Sequence, residues 1–234
     1  MSKNIQFSWR RQPHLMAAYY PGSVVPKGVD VTLGPNEICI VLENGRVVGS
    51  ATQTKMEVNP KLGLLSKLIG RKDPTRGFLF AHTGPHEILM AIDVTTQDNH
   101  HLKSLVAVRV ELEREEVARL LHLITPERTT ISPADIGRTI SAETRSLVVS
   151  EITSQMTLEA LRGDVHLPSD LEATLSVGLR TRFDSFGLRM RGSYATWTQT
   201  EIEQVEDMRK NLEVFREKDL VLDEHQNVEA NRIL

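Results

Sequence analysis

Residues 102–112 read Leu-Lys-Ser-Leu-Val-Ala-Val-Arg-Val-Glu-Leu. Leu102, Ser104, Val106, Val108, Val110 and Leu112 fall on one side at period two, and Lys103, Arg109 and Glu111 fall on the other. That alternation is the mark of a strand with one face in a core and one face in water. Upstream, Ile38–Leu42 and Arg46–Ser50 flank Asn44-Gly45, a pair that suits a two-residue hairpin turn because both central positions need positive φ. Further strand signals lie at Phe78–Ala81 and Ile88–Ile92.

Downstream of the alternating strand the period changes. Val117, Leu120, Leu121 and Ile124 mark a helical face between Glu113 and Ile124. Ser132, Pro133 and Asp135 form a helix-start signal, followed by an apolar face of Ile136, Ile140, Leu147, Val148 and Ile152. A short turn spans Thr157–Arg162. Ser169 and Glu172 read as a second capping box ahead of Leu171, Leu175, Leu179, Phe183 and Phe186, with Gly187 as the stop. Leu188–Trp197 is the last strand, and Thr198 with Glu201 caps a polar helix running to the end. Strands first, helices next, then a strand and a helix: the fold class is α+β, an antiparallel or mixed sheet with packed helices followed by a long C-terminal helix. The division is a 1–30 irregular arm broken by Pro13, Pro21, Gly22, Pro26 and Gly28, a 31–198 domain with an insertion at 55–77, and a 199–234 terminal helix.

The chain has 234 residues and a formal net charge of −3, so no overall field draws it to nucleic acid or an anionic membrane. Forty per cent of residues are hydrophobic, enough for a sizeable core. Cys39 is the only cysteine, inside an apolar run, which excludes an internal disulfide and fits a buried strand position in a reducing compartment. No stretch is long and apolar enough to span a bilayer. The expectation is a cytoplasmic protein, with any membrane contact peripheral.

Val31–Trp197 resembles the SPFH, or band 7, family of stomatins, prohibitins and flotillins. The resemblance rests on Gly34–Gly49 as an opening hairpin, Asp93-Val94-Thr95-Thr96-Gln97-Asp98 before an alternating strand, and the succession of Ile136–Ile152, Thr157–Arg162 and Ser169–Phe186. Phe186-Gly187-Leu188 then leads into a strand, like the family's helix–glycine–strand ending. It looks closest to the soluble, virion-core-like branch, given the insertion and the missing anchor. What the resemblance implies is a non-enzymatic scaffold that self-assembles into a ring or filament at or near a membrane surface. Two departures from the family pattern stand out. There is no N-terminal hydrophobic hairpin, and the terminal helix is short, as in a truncated piece of a longer coiled coil.

Several features bear on function. In the terminal segment Val205, Met208, Leu212 and Phe215 follow 3–4 spacing for two heptads before Asp219 and Gln226 interrupt it, which fits a subunit-pairing helix or one folded back on its own domain. Leu64, Leu65 and Leu68 interleave with Lys67 and Arg71 in a basic amphipathic stretch suited to a lipid interface or to packing beneath the sheet. Phe7, Trp9, Arg10, Arg11, Tyr19 and Tyr20 mix aromatics with arginines; docking on protein is the simpler reading, and nucleic-acid binding is not expected. His82, His86, His100 and His101 define the alternative, a hydrolase or metal enzyme built on the loops of 82–101, although three or four ligands would have to converge. A Ser104–His101–Asp98 triad cannot converge along one strand. No nucleophile elbow, phosphate loop or zinc-protease motif is present, so no cofactor, metal or catalytic residue is expected. A homo-oligomer with an unknown client protein is the partner expectation.

Overall fold

The computed structural model describes residues 7–10, 12–26, 28–52, 55–58 and 74–198. Among the described residues, ten strands and four α-helices make an α+β fold. The strands are β1 (Ala17–Pro21), β2 (Val29–Thr32), β3 (Glu37–Glu43), β4 (Arg46–Thr52), β5 (Lys55–Val58), β6 (Arg76–His82), β7 (Pro85–Thr95), β8 (His101–Leu112), β9 (Thr130–Ile131) and β10 (Leu188–Trp197). The helices are α1 (Pro133–Glu151), α2 (Leu158–Gly163), α3 (Leu167–Gly178) and α4 (Arg180–Phe186). All pairing is antiparallel, in a five-stranded sheet β4-β3-β6-β1-β9, a three-stranded sheet β10-β8-β7 and a β2–β5 ribbon.

The two larger sheets differ in how many faces are covered, and their sequences show it. In β7 every second residue from His86 to Val94 is buried and the residues between are exposed, as a sheet with one open face requires. The buried side meets α1, which packs along β7, while α3 and α4 pack on β10. In β6 the whole run Gly77–Ala81 is buried. Leu79 and Ala81 join the main core with Ile38 and Ile40, while Phe78 and Phe80 join a second core on the opposite face with Cys39. Trp9, Val25 and the β2–β5 valines Val29, Val31 and Val58 close that second core.

Residues 1–30 are therefore not wholly an irregular arm. Ala17–Pro21 is an interior strand paired with both β6 and β9, and Trp9 stacks on Phe80 at 6.0 Å between ring centroids. The insertion at 55–77 begins with β5, which pairs with β2, and ends inside β6. The hairpin at Asn44-Gly45 is present, with φ of 49° and 78°. Ser132 and Asp135 make the expected reciprocal capping box.

Three helical expectations change. Residues 114–123 wind as a 3-10 segment that buries Val117 and Leu120. The helix expected to start at Ser169 begins at Leu167, because Pro168 sits where the first turn needs no donor; the Ser169 hydroxyl donates to the His166 carbonyl at 2.7 Å instead of capping. That helix is also interrupted at Leu179, and its second part ends at Gly187 with φ of 71°. No helix among the described residues is long and apolar enough to cross a membrane.

Candidate functional site

The turn at residues 96–100 joins β7 to β8, and its polar side chains serve the backbone. The Thr96 hydroxyl donates to the Asp98 carboxylate at 2.5 Å and accepts from the His100 amide at 3.0 Å. Asp98 also accepts from the Leu158 amide at 3.1 and 3.2 Å. That amide belongs to the first turn of α2, whose own cap is the Thr157 hydroxyl, accepting from Ala160. The Gln97 amide donates to the Met156 carbonyl at 2.9 Å. Asp98 thus ties the hairpin turn to a helix start 60 residues away, and the donated hydrogen bond from Thr96 holds its carboxyl below the usual carboxylate range.

The four histidines fall into two pairs. His82 and His86 flank the β6–β7 turn with ring centroids 5.3 Å apart. The His86 Nε2 lies 2.8 Å from the His82 carbonyl and donates to it. Burial pushes both imidazoles below their ordinary pKa, and the Arg10 charge pushes the same way. His101 bonds Thr95 at the far end of β7, at 3.0 Å, and His100 lies 3.6 Å from Asp98. β7 has 11 residues, so the pairs stand about 34 Å apart along an extended strand. They do not share a site, and among the described residues no group of three or more His, Cys, Asp or Glu is placed to hold a metal ion.

Ser104 is 1% exposed, on the covered face of β8, with no partner for its hydroxyl. His101 is exposed, and Asp98 is committed to α2. Ser104 and His101 therefore lie on opposite faces of β8. Cys39 is fully buried, and desolvation pushes its thiol up to about 12, so it carries no thiolate. The aromatics Phe7, Trp9 and Tyr20 turn inward: Tyr20 donates to the Trp9 carbonyl at 2.8 Å, and Phe7 meets Tyr20 edge-on at 5.1 Å. These rings are spent on the fold and leave no stacking platform.

What remains is surface. On the open face of the β10-β8-β7 sheet, the register aligns Leu89, Ala107 and Tyr194 in one row and Ala91, Leu105 and Thr196 in the next. Leu89 is 51% exposed and Leu105 41%. Charges border these rows. Arg109 bonds Glu87 at 3.3 Å and stacks over Tyr194, which donates to the same carboxylate; Asp93 and Lys103 stand opposite each other in the strand register on the other side. Alternation in the sequence predicted the exposure of this face; nothing local predicted its apolar centre, because Tyr194 arrives from a strand 107 residues after Glu87. A groove of about 520 Å³ runs between β7 and α1, past Asp93, Ser141, Arg145 and Ser150. The expected pairing residues Val205, Met208, Leu212 and Phe215, and the expected lipid-contact residues Leu64, Leu65, Lys67, Leu68 and Arg71, lie outside the described residues.

This geometry defines an α+β domain with one uncovered sheet face and no clustered chemistry among the described residues. No protein-family model matches the chain, and no curated protein matches its sequence.

Proposed function

We propose that the protein is a non-catalytic, self-assembling scaffold of the SPFH, or band 7, type, working in the cytoplasm or peripherally at a membrane. The observation that carries the reading is the apolar centre of the open sheet face, Leu89, Leu105 and Tyr194, bordered by the Arg109–Glu87 ion pair. Contiguous exposed apolar surface with a polar rim suits association between proteins. The order of elements, from the Asn44-Gly45 hairpin through α1 to the Gly187 junction and β10, supports the family reading. The separation of the two histidine pairs removes the support for a single catalytic site on residues 82–101.

Light scattering on the full chain across micromolar concentrations tests the proposal. The expected result is a mass several times the monomer that falls when Leu89 and Leu105 are both changed to Asp. Removal of residues 199–234 is expected to lower it too, through Val205, Met208, Leu212 and Phe215. A wild-type chain that stays monomeric at every concentration overturns the reading.

A further inference from the structure

β7 is an edge strand: β8 pairs with it along Pro85–Thr95, and no other described strand adjoins it. The phase of the ladder decides which of its backbone groups are free. The Thr96 amide donates to the His100 carbonyl at 3.0 Å. The even-numbered residues of β7 therefore turn their N–H and C=O groups to β8, and the odd-numbered ones turn theirs away. Gln97, in the odd phase, donates to the Met156 carbonyl at 2.9 Å, and a Cβ on Gly137 of α1 would lie 3.6 Å from the Leu89 carbonyl oxygen. Between those two covered points stand Ala91 and Asp93. Both are exposed, and their amides and carbonyls have no partner among the described residues. Such an edge is a template for one more strand.

Beside Ala91 and Asp93 the groove against α1 opens to about 520 Å³, within the ~300–1,000 Å³ of ordinary ligand sites. Its helix wall presents Ser141, Arg145 and Val149 in one row, with Ala142 and Ser146 in the next. The small residues leave room for side chains from another backbone. Arg145 is exposed and without a partner among the described residues, whereas Arg138 on the same helix is bound to Asp135, and Glu143 is bound by Arg182. Gly137 lies by Leu89 and the later turns of α1 by Ala91 and Asp93, so α1 runs alongside β7 in the same sense. Arg145 and Val149 are one helical turn apart, about 5.4 Å. Alternate side chains of a strand are separated by roughly 6.8 Å, so an added strand sets one over each.

We propose that the groove between β7 and α1 binds an extended acidic peptide of a client protein, added as a strand at Ala91 and Asp93. A carboxylate of the peptide meets Arg145, and an apolar side chain two residues away meets Val149. In this mode of recognition backbone pairing supplies affinity and alternate side chains supply selectivity. A second copy's β7 fits less well, because it brings its own α1 to the side where the groove lies. The inference goes beyond the scaffold reading and does not depend on it: the recruitment site is the sheet's edge, not its open face.

Fluorescence anisotropy of the full chain tests it with a set of labelled octapeptides. Each has one fixed Glu, with Val, Ile, Leu or Phe two places to one side and Thr elsewhere. At least one is expected to bind with saturation, and its Glu→Lys counterpart about tenfold more weakly, the loss of one charge-assisted hydrogen bond. Arg145→Glu should weaken the best peptide by a similar factor and Arg145→Lys should keep most of the binding; both should hold the wild-type melting temperature, since this side chain is exposed. Peptides N-methylated at alternate amides separate strand addition from side-chain docking, because one of the two patterns blocks the amides facing β7 and the other leaves them free. No saturable binding by any member, an unaltered affinity in Arg145→Glu, or equal binding of the two N-methylated patterns overturns the proposal. Light scattering with saturating peptide examines the other occupant: a mass that falls shows a second copy on the edge and overturns the client reading.

Discussion

Gly45 and Gly187 both adopt left-handed backbone, with φ of 78° and 71°, yet changing them to alanine should have very different consequences. A Cβ on Gly45 meets nothing within 4 Å, whereas one on Gly187 would lie 2.5 Å from the Glu116 carbonyl oxygen and 2.8 Å from its Cβ. Gly45→Ala therefore carries only the left-handed penalty, about 1–2 kcal/mol. Gly187→Ala carries that and the displacement of a backbone group, about 1–3 kcal/mol more if the contact behaves as core overpacking does. The second term has nowhere to dissipate. Gly187 ends α4 and its carbonyl accepts from the Glu113 amide at 3.1 Å, so moving it pulls on α4, the 3-10 segment and the start of β10 together. At 2–4 °C per kcal/mol for a domain of this size, Gly45→Ala should lower the melting temperature by roughly 2–8 °C and Gly187→Ala by roughly 4–20 °C. Urea unfolding followed by tryptophan fluorescence reads both, since Trp9 is buried in the second core and Trp197 is partly buried against the first. Equal losses in the two variants would refute the steric argument, and with it the role assigned to the close approach of Gly187 to Glu116.

Three other outcomes can be measured on the same preparation. His82 and His86 are harder to protonate when folded, so the unfolded chain takes up protons first as pH falls below the ordinary 6.5; stability should be flat above that value and fall below it, levelling once the folded pKa values are passed. Asp98, Asp135 and Glu143 are shifted below ordinary carboxylate values, so their contribution persists until more acid pH; a urea midpoint that fails to drop between about pH 7 and pH 5, or a slope unaltered by His86→Asn, would contradict the histidine assignment. Ser132→Ala removes the hydroxyl that accepts from the Asp135 amide at 3.3 Å and should cost about 1 kcal/mol, seen as a lower melting temperature. Ser104→Ala should move the other way, gaining up to about 1 kcal/mol, because the hydroxyl it deletes is buried without a partner.

Much of the fold was readable where the physics is local. Asn44-Gly45 needs only its own φ values, Ser132 and Asp135 need only one helical turn, and the alternation of 102–112 needs only one covered face. Two of the misses share a cause, dependence on distant residues. Ala17 and Ala18 show no alternation because neighbouring strands and both cores cover them, leaving small residues between Pro13 and Pro21 that look like loop. The β2–β5 ribbon joins Val29 to Val58, a pairing no short window contains. The 3-10 winding of 114–123 keeps Val117 and Leu120 on the buried side, so helical periodicity alone did not distinguish it from an α-helix.

The candidate sites divide along the same line. The Thr96 hydrogen bonds to Asp98 and His100 are local, whereas the Leu158 amide that Asp98 also accepts from is visible only when the fold brings it near. The histidines looked close because 82–101 is a short stretch of sequence. An extended strand is the most effective way for a chain to carry neighbours apart, and β7 takes one pair to each end of the hairpin. The reverse happens on the open face of the β10-β8-β7 sheet, where Leu89, Leu105 and Tyr194 converge from three separate strands. For this protein, then, sequence proximity overstated the chemical site and understated the surface, because antiparallel strands disperse neighbours along their length and assemble strangers side by side.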